Sequence, residues 1–505
     1  MGVIARQSIK GAMANYIGIV IGFFTTFFVL TDCLSQEEIG LTRIMVDVAM
    51  LFSALAQLGT NASIIRFFPY FNSPGNKHHG IFGWALLVPC IGFIAISTLL
   101  FVFRHPIEAL YSEKSPLLTH YFYLLIPLTF FALYQTVFET CASVLLRITI
   151  PKLVREVGIR LCTLICYLLY GYHVISLDLF VVLFCGCYGL AMLLNFVYLI
   201  SLGHISFRIE RGFIDKRLGR DIIRYTLVMT LTAIASNIPI INTLFLGAEK
   251  GLALTGVYTI ALYISNIVEV PYRSLGAISR PLVAKSVKEA DWNEVNRMGR
   301  QLSVHQFLVS TLLLFFISIN LPTLYALIPN GQDYAAGISV VLIMGIAKVI
   351  NSSFSVNTDV LSYSRHFFLS FPFMLLLTVS AILFNRWLIP LWGINGAATA
   401  TLFSYLLYYL PLILFVMGKM HVNTFSTRHL KIMLLLGTLI VLHWIWTLLT
   451  PDGTTMLRMI CRSLIESGFL LAVATTAVYL LRISPNVNEL IERYLPIPSR
   501  LKKKQ

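Results

Sequence analysis

Charge is what this chain has least of. Asp, Glu, Lys and Arg make up only 12% of its 505 residues, against roughly 25% in a soluble domain. So few charges cannot cover a water-facing surface of this size. With 57% hydrophobic and 13% aromatic residues, the composition excludes a soluble fold and predicts an all-α polytopic membrane protein. Long polar connectors are lacking too. The longest lie near 203–221 and 273–300, so no room is left for an attached ATP-binding or glycosyltransferase domain. HExxH, GxSxG and Walker sequences are absent, which removes the usual signatures of metal-assisted, nucleophilic and ATP-driven chemistry. The eight cysteines fall mostly inside apolar runs without CxxC spacing and are expected as free core thiols, with no metal site, disulfide framework or cofactor. A cleavable leader is not expected either. The basic start (Arg6, Lys10) leads into an apolar run too long for a signal peptide, so the first segment should remain as a transmembrane helix.

What is present is a series of about fourteen apolar runs long enough to span a bilayer. They cover residues 11–32, 40–65, 80–103, 118–146, 155–174, 178–202, 222–247, 253–272, 302–327, 335–360, 367–386, 394–418, 430–449 and 458–481. Roughly 29 of the 38 Lys and Arg residues then fall on the side where the chain begins, which places both termini in the cytoplasm. That asymmetry accounts for the net charge of +15 without a nucleic-acid partner. The terminal RLKKKQ reads as a solvated tail facing lipid headgroups.

One stretch, residues 251–286, concentrates the exceptions. It runs apolar through Val257–Val268 and then places Glu269, Pro271 and Arg273 within five residues. Pro271 lacks an N–H, so it is expected to kink the helix and free the Ile267 carbonyl. Charges at mid-bilayer cost about 2.5–3.5 kcal/mol each on insertion scales, so Glu269 and Arg273 should face a watery cavity or each other. The plainer alternative has Arg273 snorkelling at the interface and Glu269 serving as a structural partner. Arg43 and Asp47 form an i, i+4 pair on the second span, with Gln57 and Asn61 continuing a polar line towards Arg66. They read either as a cavity lining or as a self-neutralising pair. Glu139 lies in the fourth span. Lys348 opens a stripe with Asn351, Ser352, Ser355 and Asp359 in the tenth, a pattern that favours a lumen over lipid.

The chain also resembles itself. The stretch from Ile39 to Phe71 and the stretch from Thr255 to Ala284 share a helix, a glycine patch (Gly59, Gly276) and a closing Arg and Pro. About 216 residues separate them, and both cross in the same direction, as parallel repeats do. The expected organisation is an N-terminal six-helix lobe (1–203), a C-terminal six-helix lobe (204–420) and two further helices with a basic tail (421–505).

Four segments carry a family likeness: LGTNASIIRFF (58–68), GVYTIALYISNIVEVPYRSLGAISRPLVA (256–284), ALIPNGQDYAAG (326–337) and GINGAATATLFS (393–404). In their order the chain resembles the multidrug/oligosaccharidyl-lipid/polysaccharide exporter superfamily, in its polysaccharide-transporter (O-antigen-unit flippase) branch. The resemblance implies two lobes forming a V-shaped cleft. It also implies alternating-access flipping of an undecaprenyl-diphosphate-linked oligosaccharide to the outer leaflet of a bacterial inner (cytoplasmic) membrane, for surface polysaccharide such as lipopolysaccharide O-antigen. Arg43, Arg273 and Lys348 would meet the diphosphate. Partners would be that lipid-linked oligosaccharide, membrane lipids, a coupling ion (proton or sodium) where transport is ion-driven, and polysaccharide polymerase machinery. Two positions depart from the pattern. Asn266 stands where similar peptidoglycan-precursor flippases carry an Arg, and Asn242 stands where many polysaccharide members carry an Asp. The competing readings are a cation-coupled multidrug exporter of the same fold, which would need carboxylates to dominate the cavity, and a membrane polymerase or ligase, which would need a large outer loop.

Overall fold

A computed structural model describes residues 17–71, 73, 78–203, 215–234, 238–450 and 456–483. Arg6, Lys10, Lys77, most of the 203–221 connector, the 451–453 turn and the basic tail lie outside the described residues. Among the described residues the chain is helical, without strands. It divides into two compact units: Met1–Ile260 with Ala381–Ala397, and Ala261–Ser380 with Ala398–Gln505.

The first unit holds α1 (Ile17–Cys33), α2 (Gln36–Ala56), α3 (Thr60–Phe71), α4 (Ile81–Val102), α5 (Arg104–Tyr111) and α6 (Pro116–His120). It continues through α7 (Leu125–Val144), α8 (Ile159–Gly171), α9 (Leu177–Ser201), α10 (Lys216–Ile234), α11 (Ile238–Lys250) and the start of α12 (Leu252–Asn266). The second unit holds α13 (Val270–Lys288), α14 (Trp292–Leu327), α15 (Ile338–Tyr363), α17 (Thr427–Leu449) and α18 (Met456–Leu480). Between α15 and α17 runs α16 (Ser370–Met420), whose middle, Ala381–Ala397, belongs to the first unit.

Ten helices among the described residues are long and apolar enough to cross a membrane. The first and fifth expected spans fall on the shorter helices α1 and α8, and the seventh falls on α10 and α11, the residues between which lie outside those described. The eleventh and twelfth share α16, broken at Gly393 by a φ of 56° and ψ of −127°, a conformation that glycine reaches without steric cost.

Three expectations need correction. The second span is not one helix: α2 ends at Ala56, Leu58 and Gly59 take φ of 46° and 67°, and α3 restarts at Thr60. The break lets Gly59 lie against the Thr226 carbonyl of α10, where a Cβ would collide. Next, the 273–300 connector is helical almost throughout, with only a short turn between Lys288 and Trp292. Finally, the Ile267 carbonyl is not freed. The chain tightens into a 3-10 turn over Ile267–Glu269, and that carbonyl accepts the Val270 N–H. Pro271 then stands at the start of α13, where a missing N–H costs nothing.

In the first unit α2 begins with a capping box, Ser35 and Glu38 bonding each other's backbone N–H. It packs with α9 against α7, over a core that includes Ala56, Phe71, Phe82, Leu133, Val137 and Leu199. Small residues permit one especially close approach. A Cβ on Gly40 would strike the Leu252 carbonyl, and a Cβ on Gly256 would strike the Gln36 carbonyl. In the second unit α14, α17 and α18 meet around Leu308, Phe315, Leu439 and Leu470. The outer faces of α17 and α18 expose Leu430, Leu434, Trp444, Leu448, Leu457 and Leu464, an apolar exterior suited to lipid.

Candidate functional site

The 3-10 turn that interrupts the helical path at Ile267–Glu269 delivers Glu269 to the N-cap of α13, where the helix dipole favours a negative charge. The carboxylate is buried, 5% exposed. Its Oε1 accepts from Asn351 Nδ2 at 2.7 Å, and its Oε2 meets Lys348 Nζ at 3.2 Å and Arg273 Nη2 at 3.3 Å. Tyr409, arriving from α16, donates to Asn351 Oδ1 at 2.7 Å and fixes the amide's orientation. Lys348 and Asn351 both come from α15, one helical turn apart, so one face of that helix serves the same carboxylate.

The charges decide what this cluster can do. One carboxylate faces two cations, leaving a surplus of one positive charge. Lys348 is sealed in, its side chain 4% exposed, whereas the Arg273 side chain is 65% exposed. The surplus is therefore presented by Arg273. Such a guanidinium retains donors for an anion in a planar array that matches carboxylate or phosphate oxygens. Asn266 lies one turn earlier, half-buried at the start of the 3-10 segment.

The first unit carries a different arrangement. Arg43 Nε bonds Asp47 Oδ2 at 2.8 Å, and Thr243 Oγ1 of α11 donates to the same oxygen at 2.6 Å. The Arg43 side chain is 19% exposed, so its charge is matched by Asp47 and mostly enclosed. Asn242 is fully buried. It donates to the Tyr258 hydroxyl at 2.8 Å and to the Ala397 carbonyl at 3.3 Å, and accepts from Asn385 at 2.8 Å. This cluster of neutral amides occupies the place where an acidic residue had been the family's pattern. Gln57 donates to Thr136 at 2.9 Å. Asn61, beyond the helix break, keeps a buried Oδ1 without a hydrogen-bond partner. Glu139 is paired with Arg155 at 2.8 Å.

The sequence-derived residues thus fall into separate groups. Glu269, Arg273 and Lys348 converge, and Arg43 pairs with Asp47. Asn242 joins the amide cluster, and Gln57 and Glu139 each have local partners. Sequence reasoning missed Thr243, Tyr258, Asn385 and Tyr409 as functional neighbours. Asn351 was visible through its spacing from Lys348. Tyr409 lies 58 positions from Asn351 and carries no local signal. Among the described residues no group of His, Cys, Asp or Glu side chains could hold a metal ion.

A family model described as polysaccharide biosynthesis protein matches residues 5–285. No curated protein matches by sequence. Among solved structures the chain is similar to one titled "Lipid II flippase MurJ, inward closed conformation", with a TM-score of 0.73 at 12% identity over 93% of this chain and 99% of that one. It is also similar to an inward-facing multidrug resistance MATE family transporter of the MOP superfamily, with a TM-score of 0.63 at 13% identity over 80% of this chain and 94% of that one. A third is a MOP superfamily transporter from Pyrococcus furiosus, described as having a binding pocket of reverse polarity. There the TM-score is 0.56 at 15% identity over 84% of this chain and 96% of that one. At these identities the likeness establishes the fold, which is that of the flippase and MATE transporters.

Proposed function

Because the chain belongs to the polysaccharide biosynthesis protein family, we propose that it is a flippase for an undecaprenyl-diphosphate-linked oligosaccharide, working in a bacterial inner membrane with both termini in the cytoplasm. The observation that carries this reading is the surplus positive charge of the Glu269 cluster, presented by Arg273 at the end of the apolar span Leu252–Arg273. A lipid-linked diphosphate is the matching ligand: its head is an anion needing a cation away from bulk water, and its tail is at home in the bilayer. Lys348 serves by holding Glu269, and Glu269 in turn positions Arg273 through their i, i+4 contact. Arg43 contributes a weaker, largely neutralised positive potential. Alternating access of two repeat lobes carries the head across, and no bond of the substrate is made or broken. A multidrug exporter of the same fold would take cations, which an outward-facing surplus guanidinium repels.

The test is deletion of the gene in its own host. Lipid-diphosphate oligosaccharide should accumulate on the cytoplasmic leaflet and the surface glycan should be lost. The wild-type gene should restore both. Arg273→Ala should not, and Arg273→Lys should restore them in part, since a lysine keeps the charge but loses the fork geometry. A normal surface glycan in the deletion strain, with changed sensitivity to cationic drugs, would defeat the flippase reading.

A further inference from the structure

The polar stripe that begins at Lys348 does not stop at the Glu269 cluster. About one helical turn further along α13 and α15, roughly 5.4 Å on, the same two helices line a small cavity with Tyr272, Ser279, Ser352, Ser355 and Asp359, and α14 adds Gln306. Two oxygens on these lining residues, Gln306 Oε1 and Ser352 Oγ, have no hydrogen-bond partner, on side chains belonging to residues only 4% and 1% exposed. Buried oxygens left unpaired are costly, so two around one void call for a guest that bonds both. The wall is not sealed. Tyr272 and Ser279 are half-buried, and Arg280 beside them is exposed.

The walls say what kind of guest. Gln306 Oε1 can only accept, and the Asp359 carboxylate likewise accepts. Arg280 meets that carboxylate loosely, its Nε 3.4 Å from Oδ1, beyond the roughly 2.7–2.9 Å of a strong charge-assisted bond. Its Nη2 donates instead to the Tyr272 hydroxyl at 2.7 Å. Acceptors without close donors favour a guest that carries several O–H or N–H groups along one rigid edge, and they disfavour an anion. A sugar ring has such an edge. Placement adds a second constraint. In a lipid-linked diphosphate glycan the sugar lies on the far side of the diphosphate from the tail. With the diphosphate at the exposed Arg273 guanidinium, the first sugar falls on the next polar level of α13 and α15. The cavity is small, so it takes the hydroxyl edge of one ring while the rest of the glycan stays outside.

We infer, building on the flippase reading, that this cavity recognises the sugar next to the diphosphate and selects an uncharged one, with Gln306 Oε1 and Ser352 Oγ accepting from its hydroxyl or acetamido N–H groups. The full chain purified in detergent would be titrated by thermophoresis with a short-chain polyprenyl diphosphate, bare or carrying N-acetylglucosamine, galactose or glucuronic acid. At least one of the two uncharged sugars should tighten binding by about tenfold over the bare diphosphate, and glucuronic acid should not tighten it. Gln306→Leu and the milder Ser352→Ala should each remove most of that advantage. Both should keep the wild-type affinity for the bare diphosphate, which also reports that they are folded. Arg273→Ala should weaken every probe alike, and Gly418→Ala should change none. If the wild type binds both uncharged sugar probes no better than the bare diphosphate, this inference is overturned and the flippase reading stands. Glucuronic acid giving the greatest advantage would also overturn it, as would losses in Gln306→Leu and Ser352→Ala that extend to the bare diphosphate. Failure of every probe to bind would overturn the flippase reading together with this one.

Discussion

Lys348 and Glu269 are each almost completely enclosed, at 3% and 5% exposure, and they meet at 3.2 Å. Removing one partner of such a pair typically costs about 3–5 kcal/mol, whereas replacing both with groups of similar volume is often near neutral. Lys348→Ala should therefore lower the thermal unfolding midpoint in detergent markedly, and Glu269→Gln with Lys348→Met should recover much of the loss. The double variant should still fail in the glycan assay, because Arg273 then lacks its carboxylate anchor. A second prediction concerns the amide cluster. Asn242→Asp replaces a donor to the Ala397 carbonyl with a second acceptor in a fully buried place, at a cost of about 1–3 kcal/mol or more. The unfolding midpoint in detergent is the measurement. Glu269, Arg273 and Lys348 were legible in the sequence because a charge inside an apolar run is conspicuous by itself. Tyr409 and Asn385 were not, since their partners are set by tertiary packing, which local spacing does not encode.

At the level of elements, the two interruptions beside the polar groups arise from different causes. The turn at Leu58–Gly59 depends on backbone angles that glycine tolerates and leucine adopts under strain. The 3-10 turn at Ile267–Glu269 is a local tightening that lets Pro271 begin the next helix instead of damaging the last one. Proline in the sequence announced the second break at the right place and misassigned its hydrogen bonds. Glycine patches announced nothing about the first, because glycine inside an apolar span is equally consistent with close packing. The contacts of Gly40 and Gly256 show that second use. Alanine at either position would meet a backbone carbonyl that cannot turn aside, so Gly40→Ala and Gly256→Ala should each destabilise by about 1–3 kcal/mol. Gly418, with nothing near its absent Cβ, is the control. Alanine there should be neutral or stabilise by up to about 1 kcal/mol. Melting curves of the three variants decide it.

Across the whole molecule, helical class and membrane embedding could be read from composition and apolar run length, because burial in lipid demands both. The limits of single helices were less legible wherever an apolar run contains a break, as in α16, where two expected spans share one run and Gly393 alone marks the bend. Orientation rests on basic residues at the ends of the spans. A fluorescent reporter that matures only in the cytoplasm, fused after Gln505, should therefore light up, and a dark fusion would reverse the assignment. The paired glycines carry a consequence of another kind. The repeat offset that takes Gly40 to Gly256 also takes Gln36 to Leu252, so each glycine touches its counterpart's neighbour. That reciprocity is the pattern an isologous interface between two identical partners leaves. It is what would remain if two copies of a half-length ancestor, paired face to face, had been joined end to end and then allowed to diverge.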